Sequence, residues 1–474
     1  MTASPSPSPA APRTGLWTLL ALAAPIALSQ LFQIANAIID TVMAGHLGTL
    51  SLAAVSAGIS LWVPVMTVMV GFLYLLTPTV GRLIGAGKPD EIGPALAVGL
   101  ITGLSWGGLG ALALWFGSET LFTLIGVSPE IIPEAVAYIH YVALGFPGFG
   151  LFLALRFLIE GFGMPRLITA VTILCAVVKG ILTYGFLFGG PAFSALGLPV
   201  LGAVGCGLST ALVLWLYGGS VLVISLAHPR LRPVWRSLLA RPAVSLGAVW
   251  RFCITGLPIA LNLLSDYVVM AVVALAIATI GPVAISAHQI SYTTLNVLLM
   301  IPIGIGMGGA VLVAQASGAG DRAQTIRWIS LCLSVCTVLP LGLSALILLY
   351  PHQIAGLSST DPAVVSGSVE LLKIIGLLLT LDALVITTAF LLRGLGDHRG
   401  PFLITVFAHW GVSLPSGWLL GSSSIFGGAM GAAGWWWGLL LGLSVALVAS
   451  LLRLWGIQGK RTPDIAPATS ESLS

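Results

Sequence analysis

Twelve long apolar runs, each near or above the ~20 residues an α-helix needs to cross about 30 Å of hydrocarbon, fill almost all of this 474-residue chain. Their approximate limits are 16–43, 52–79, 92–116, 133–156, 166–189, 201–226, 250–278, 284–313, 326–350, 366–391, 401–421 and 433–455, with short breaks of Gly, Pro or charge between them. The chain is 57% hydrophobic and only 7% charged, with mean hydropathy +1.06, too little polar surface for a soluble fold of this size. Within lipid every backbone polar group must be satisfied internally, so the runs are helices or barrel strands, and a barrel would show alternating segments of ~10 residues. The sequence predicts an all-α polytopic membrane protein with twelve transmembrane helices. The first run is too long for a signal-peptide core and stays as a helix. Residues 1–15, rich in Pro, Ser and Ala, and the tail 458–474 have nothing apolar to bury and are expected to be disordered.

The chain also repeats itself. At an offset of 233 residues PIAL at Pro25–Leu28 falls on PIAL at Pro258–Leu261, and the match continues without gaps: Trp17 on Trp250, Gly48 on Gly281, Gly85 on Gly318, Gly87 on Gly320, Gly163 on Gly396 and Arg166 on Arg399. Six spans per half is an even number, so both halves share one topology and are related by a pseudo-twofold axis along the membrane normal. We therefore expect two parallel six-helix repeats, lobes at 16–227 and 250–457 joined by a basic linker at 228–249, an arrangement suited to alternating access around a central cleft.

Lys and Arg set the orientation. Seventeen of the 19 basic residues, from Arg13, Arg82 and Lys88 to Arg453, Lys460 and Arg461, fall on one side of the predicted topology. The loops on the other side carry only acids such as Glu119, Glu130 and Asp361, which puts both termini in the cytoplasm of a cell that holds this chain in its inner or plasma membrane. The net charge of +4 follows from that topology and not from nucleic-acid binding. Lys179 and Lys373 remain, the latter read as structural, with Glu370 three residues before it. The five cysteines lie within spans without metal spacing and read as packing residues.

Against this background three buried acids stand out: Asp40 in span 1, Asp266 in span 7 and Asp382 in span 10. A carboxylate at the middle of a membrane helix costs about 2.5–3.5 kcal/mol on insertion scales and marks an ion or substrate path. Ser29, Gln33, Asn36 and Asp40 recur at helical spacing and form a single polar stripe; Asn262 precedes Asp266 by one turn. Such acids can exchange a proton, hold Na⁺, or attract a lipophilic cation, and competition between these for one charge is antiport. The three are not repeat images: Asp40 falls on Val273, Asp266 on Gln33 and Asp382 on Phe149. Lys179, deep in span 5 with Thr183 on its face, either pairs with Asp40 or reaches polar groups or cavity water. His288 and His409 could relay protons or simply pack. Glu160 and Arg393, which are repeat images, read as a salt bridge or cap at the ends of spans 4 and 10. The G-x-G-x-x-G match at Gly304–Gly309 lies inside a span with no strand before it, so it serves helix packing rather than a nucleotide. Trp435–Trp437 reads as an interfacial anchor.

Taken in order, IIDTVMAGHLG (Ile38–Gly48), AAVS (Ala53–Ser56), GAG (Gly85–Gly87), SAHQ (Ser286–Gln289), LRGLGD (Leu392–Asp397) and LPSG (Leu414–Gly417) resemble the multidrug and toxic compound extrusion (MATE) transporters, specifically the NorM-like branch. The resemblance covers nearly all twelve spans. It implies H⁺- or Na⁺-coupled export of organic, often cationic compounds by a V-shaped pair of lobes, with the bilayer and small-molecule organic cations as partners, a monomer, and no cofactor beyond the coupling ion. Asp40 matches the family's helix-1 aspartate and Asp382 its helix-10 aspartate. Asp266 stands where NorM-like members usually have glutamate. Lys179 departs from the family, replacing an asparagine found in many members. If Lys179 meets Asp40, coupling through the first lobe is protonic or lost, leaving Asp266 and Asp382 as the site for Na⁺, H⁺ or substrate. The expected cation or substrate residues are thus Asp40, Asp266, Asp382, Lys179, Asn36, Gln33 and Asn262, with Thr183, His288 and His409 secondary. A lipid-linked oligosaccharide flippase of the same superfamily would want a cationic cavity, hinted at only by Lys179. An intramembrane enzyme would need H-E-x-x-H or a nucleophile–base set, and neither is evident; the chain is not read as an enzyme.

Overall fold

The computed structural model describes residues 15–190, 193, 195, 197, 199–240, 244–422 and 429–459. Every apolar run is helical, as backbone satisfaction in lipid requires. The spans are α1 (Leu16–Gly45), α2 (Thr49–Gly85), α3 (Ile92–Ile125), α4 (Ile132–Leu144 and Phe146–Gly161, bent by 44°), α5 (Pro165–Phe188) and α6 (Val204–Ala227). The second set is α7 (Leu246–Ala278), α8 (Pro282–Gly318), α9 (Arg322–Leu349), α10 (Pro362–Gly394), α11 (Arg399–Gly421) and α12 (Ala432–Gly459). Eleven are long and apolar enough to cross a membrane alone, and the bent α4 makes the twelfth among the described residues.

Several boundaries differ from the sequence reading, each for a local reason. α3 runs on to Ile125, where Gly126 in the left-handed region (φ 83°) ends it. Within the linker 228–249 lies a short helix, Arg232–Ala240, and α7 begins at Leu246 rather than 250 because Ser245 Oγ accepts the Ala248 N–H at 3.1 Å and caps it. The tryptophan run at the start of α12 is not an interfacial anchor, since Trp435 and Trp436 are buried. Gly417 and Gly421 of α11 leave room for the Trp435 indole. Of the segments expected to be disordered, 1–15 and 458–474, residues 458–459 instead continue α12, while 1–14 and 460–474 lie outside the described residues, as do Arg13, Arg241, Lys460 and Arg461.

The repeat is written into the backbone. Gly48 before α2 (φ 138°, ψ 173°) and its image Gly281 before α8 (φ 144°, ψ 172°) share one conformation. So do Gly87 and Gly320 (φ 69° and 72°), and Gly163 and Gly396 (φ 73° and 92°) follow suit. All six angles fall where a Cβ is penalised, which is why glycine stands at both copies. One large core packs α2 to α6 around Leu73, Phe146, Phe152 and Leu155. A second packs α7 to α12 around Val273, Leu372, Leu379 and Trp436.

A third core forms the seam, with Leu19 and Ala23 of α1 against Ile305 and Leu312 of α8. Close approach there needs residues without side chains. A Cβ on Gly304 would sit 2.6 Å from the Ala23 carbonyl, Gly71 abuts Ala260, and Gly318 abuts Arg82. The glycines of Gly304–Gly309 thus serve packing: Gly304 and Gly308 face α1, Gly306 faces Phe390 and Gly309 faces Cys332. Gln315 Nε2 donates across the seam to the Gly161 carbonyl at 3.1 Å. These contacts lie in the halves of α1, α2, α7 and α8 nearest the end of the bundle that bears the chain termini.

Candidate functional site

The polar stripe of α1 faces its own lobe. Asp40 Oδ1 lies 2.7 Å from Lys179 Nζ of α5, with the two side chains 2% and 1% exposed. Lys179 also donates to Ser209 Oγ at 2.9 Å, Thr210 Oγ1 at 2.6 Å and the Cys206 carbonyl at 3.2 Å, all on α6. Thr210 Oγ1 donates to Asp40 Oδ2 at 3.0 Å, and Thr183 meets Ser209 at 2.8 Å. A carboxylate and an ammonium this far from water persist only because each is paired and its remaining hydrogen-bonding capacity is largely met. Asn36 Nδ2 donates to the Tyr217 hydroxyl at 3.0 Å. The cavity beside the pair, about 70 Å³, is lined by Gln33, Asn36, Trp62, Phe149, Phe152 and Tyr217 among others. That holds a little water but no drug-sized molecule.

Gln33 is held from below. Arg156 of α4 donates to Gln33 Oε1 at 3.1 Å and to Gln30 Oε1 at 2.7 Å, and pairs with Glu160 at 2.7 Å. Glu160 is therefore in a salt bridge, but with its own helix neighbour. Its repeat image does something else: Arg393 of α10 donates to Asn262 Oδ1 of α7 at 2.6 Å. Asn262 Nδ2 in turn lies 3.4 and 3.3 Å from the two oxygens of Asp266.

The second lobe presents its acids differently. The Asp266 side chain is 46% exposed, and it lies within electrostatic reach of Asp382 and Arg393 of α10. Tyr292 of α8 is within reach of both carboxyls. His409 Nε2 of α11 stands 3.7 Å from Asp266 Oδ1, and its Nδ1 lies 3.3 Å from Ser413 Oγ. Phe407–Ser413 is a π-helical stretch inside α11, the kind of local underwinding that re-aims side chains at functional sites. It also brings Trp410 Nε1 to Ser265 Oγ at 2.8 Å.

The structure thus gathers Asp40, Lys179, Asn36, Gln33 and Thr183 in one place and Asn262, Asp266, Asp382 and His409 in another. His288 joins neither. It is buried between Tyr292 and Trp436, whose rings lie 5.9 and 5.6 Å from its own. Outside the spans, burial together with nearby Arg82 and Arg393 brings the His398 imidazole down to about 3, so it stays neutral. Sequence reasoning passed over Ser209, Thr210, Arg156, Trp410 and the π stretch. The adjacent Ser209–Thr210 pair in an otherwise apolar span was a usable signal; the π stretch left none. A larger cavity of about 440 Å³ lies against Gly281, Pro282, Gly367 and Glu370, and none of the expected site residues lines it.

Comparison with known proteins matches this architecture. The MatE family model matches residues 25–184 and again 258–419, starting both times at the repeated proline. The multidrug resistance protein MdtK of Yersinia pestis is 31% identical over 94% of this chain and 96% of its own length. PmpM of Pseudomonas aeruginosa, also a multidrug resistance protein, is 32% identical over 93% of this chain and 91% of its own. Among solved structures, the eukaryotic MATE transporter AtDTX14 superposes with a TM-score of 0.81 at 19% identity, covering 94% of this chain and 97% of that one. With two family-model matches spanning most of its length, a duplicated twelve-helix fold and relatives aligned nearly end to end, the chain belongs to the MATE family of multi-pass membrane transporters.

Proposed function

We propose that this protein is a secondary antiporter that exports organic cations, exchanging them for a coupling cation at the second-lobe acids Asp266 and Asp382. The observation that carries the reading is the contrast between the lobes: Asp40 already holds an internal cation at 2.7 Å in a sealed site, whereas Asp266 is 46% exposed. Asp266 thus offers a cation a carboxyl that, among the described residues, makes no ion pair with Lys or Arg, where Asp40 is already paired. Arg393 and Asn262 orient Asp266 from below, and a carboxyl site released by protonation or Na⁺ gives exchange by competition for one charge. The basic loops argue for cytoplasmic termini in the cell membrane. Since the lobes meet at the end that bears the termini, the described conformation then corresponds to an outward-facing state. The flippase reading loses its support, because Lys179 spends its charge on Asp40 and offers none to a phosphate. A single chain supplies both sites, in keeping with a monomer.

The test is substrate efflux from proteoliposomes under separately imposed Na⁺ and pH gradients, with Asp40→Asn, Lys179→Asn, Asp266→Asn and Asp382→Asn. The expected result is loss of gradient-driven efflux in the Asp266 and Asp382 variants. Unchanged transport in both would end this reading.

A further inference from the structure

Each lobe sets an acid on its first helix against a basic side chain on its fifth. In the first lobe α1 offers Asp40 and α5 answers with Lys179; in the second α7 offers Asp266 and α11 answers with His409. The pairs are not repeat images, since His409 falls on Ala176 and Lys179 on Val412. The second lobe reaches the same juxtaposition through the π-helical turn Phe407–Ser413, which has no counterpart in the regular helix α5.

We propose that His409 is the proton-exchange partner of Asp266, the two side chains forming a unit that carries one proton in alternation with the substrate's cation. This rests on the reading that the second-lobe acids handle coupling. With one proton the unit is neutral and holds a cation less strongly; without it the unit adds one negative charge to that of Asp382 and attracts one. Two arrangements serve the two states. When the unit holds its proton, that proton lies between Asp266 and Nε2, as O–H donating to Nε2 or as carboxylate accepting from imidazolium, while Nδ1–H donates to Ser413 Oγ. When the unit has lost it, Nε2–H donates to the carboxylate and Nδ1 accepts from the Ser413 hydroxyl, a group able to play both parts. The 3.7 Å separation is at ion-pair range and closes to a hydrogen bond with a small side-chain movement, as catalytic contacts do on loading.

Among the described residues around the unit, no other acid stands at ion-pair range of an imidazole. On α10, Asp382 adds negative charge and Arg393 is turned to Asn262. Tyr292 of α8 and Tyr267 of α7 are phenols. α12 meets this turn with Gly442 against Ser413 and offers no titratable group there. Lys179 in the first lobe cannot alternate in this way, because its cation is already hydrogen-bonded to three α6 oxygens.

The test is equilibrium binding of tetraphenylphosphonium to the purified full-length protein from about pH 5.5 to about pH 9, a range that brackets imidazole chemistry. In the wild type, affinity falls about tenfold per pH unit once the unit takes up its proton. His409→Gln keeps a hydrogen-bonding side chain that cannot carry a proton, and the midpoint of this fall is expected to move by about one pH unit or more; the midpoint, not the alkaline plateau, is the readout. An unmoved midpoint overturns the proposal. If His409→Gln binds at no pH, Ser413→Ala decides: a displaced midpoint supports the unit and a wild-type midpoint overturns it. Asp266→Asn separates the two levels. A flat profile there with an unmoved His409→Gln midpoint sinks only the His409 assignment, while a wild-type profile in Asp266→Asn sinks the second-lobe reading itself.

Discussion

The two lobes solve one electrostatic problem in opposite ways. Each must keep a carboxyl inside a membrane protein. The first lobe neutralises Asp40 with a lysine from the same bundle, seals both to within 2% of complete burial and surrounds them with hydroxyls of α6. The second leaves Asp266 half exposed, with a histidine at longer range and a second acid nearby. The difference teaches that duplication preserved the frame, down to paired glycines at the same backbone angles, while the polar interior diverged. An internal ammonium makes a site structural; an open acid makes one available.

The largest effect expected from this comparison is on stability. Lys179→Met leaves Asp40 buried without a counter-charge and should cost about 3–5 kcal/mol, seen as a lowered melting temperature in detergent. Adding Asp40→Leu should recover most of that loss, because replacing a buried ion pair with apolar residues is often neutral. Simple additivity of the two would break the claim that they act as a pair. Next comes function in the other lobe. Asp266→Asn removes the charge a cation would meet, worth about 2–3 kcal/mol or roughly 100-fold in gradient-driven efflux, while its melting temperature stays near wild type. A third change probes the seam on which both lobes depend: Gly304→Val would drive a side chain into Ala23 and Ala27. Overpacking of about 1–3 kcal/mol should shift the population away from the conformation closed at the termini-bearing end, measured as greater reactivity of a cysteine placed at Ala27. Smallest is Thr183→Val, which loses one hydrogen bond to Ser209. A cost of about 1 kcal/mol with unaltered transport is expected.

Much of the frame was legible in the chain. Hydropathy gave twelve spans because lipid permits little else, and the 233-residue offset gave the two halves because glycines with positive φ cannot drift. The three acids and Lys179 were visible because charge in an apolar run is costly. Whether Lys179 met Asp40 was not, since a helix periodicity fixes a face but not which neighbour it meets. The same limit hid Arg156 beneath Gln33 and the split roles of Glu160 and Arg393, which occupy equivalent positions yet serve different partners. Trp435 and Trp436 misled because an aromatic run near a helix start looks alike whether it meets headgroups or, as here, the glycines of α11 (Trp435) and His288 of α8 (Trp436). The π stretch that carries His409 to Asp266 has no composition signature; it is a property of how α11 packs on α7 and α12.

On the proposed reading coupling runs through the second lobe and the Asp40–Lys179 pair does not take part. It is tested most directly by drug efflux in proteoliposomes under an imposed pH gradient, comparing the Asp40→Leu/Lys179→Met double variant with Asp266→Asn. The expected result is efflux within about threefold of wild type in the double variant and a loss of roughly 100-fold in Asp266→Asn. The reverse pattern, with the double variant inactive though folded and Asp266→Asn still driven by the gradient, would contradict it.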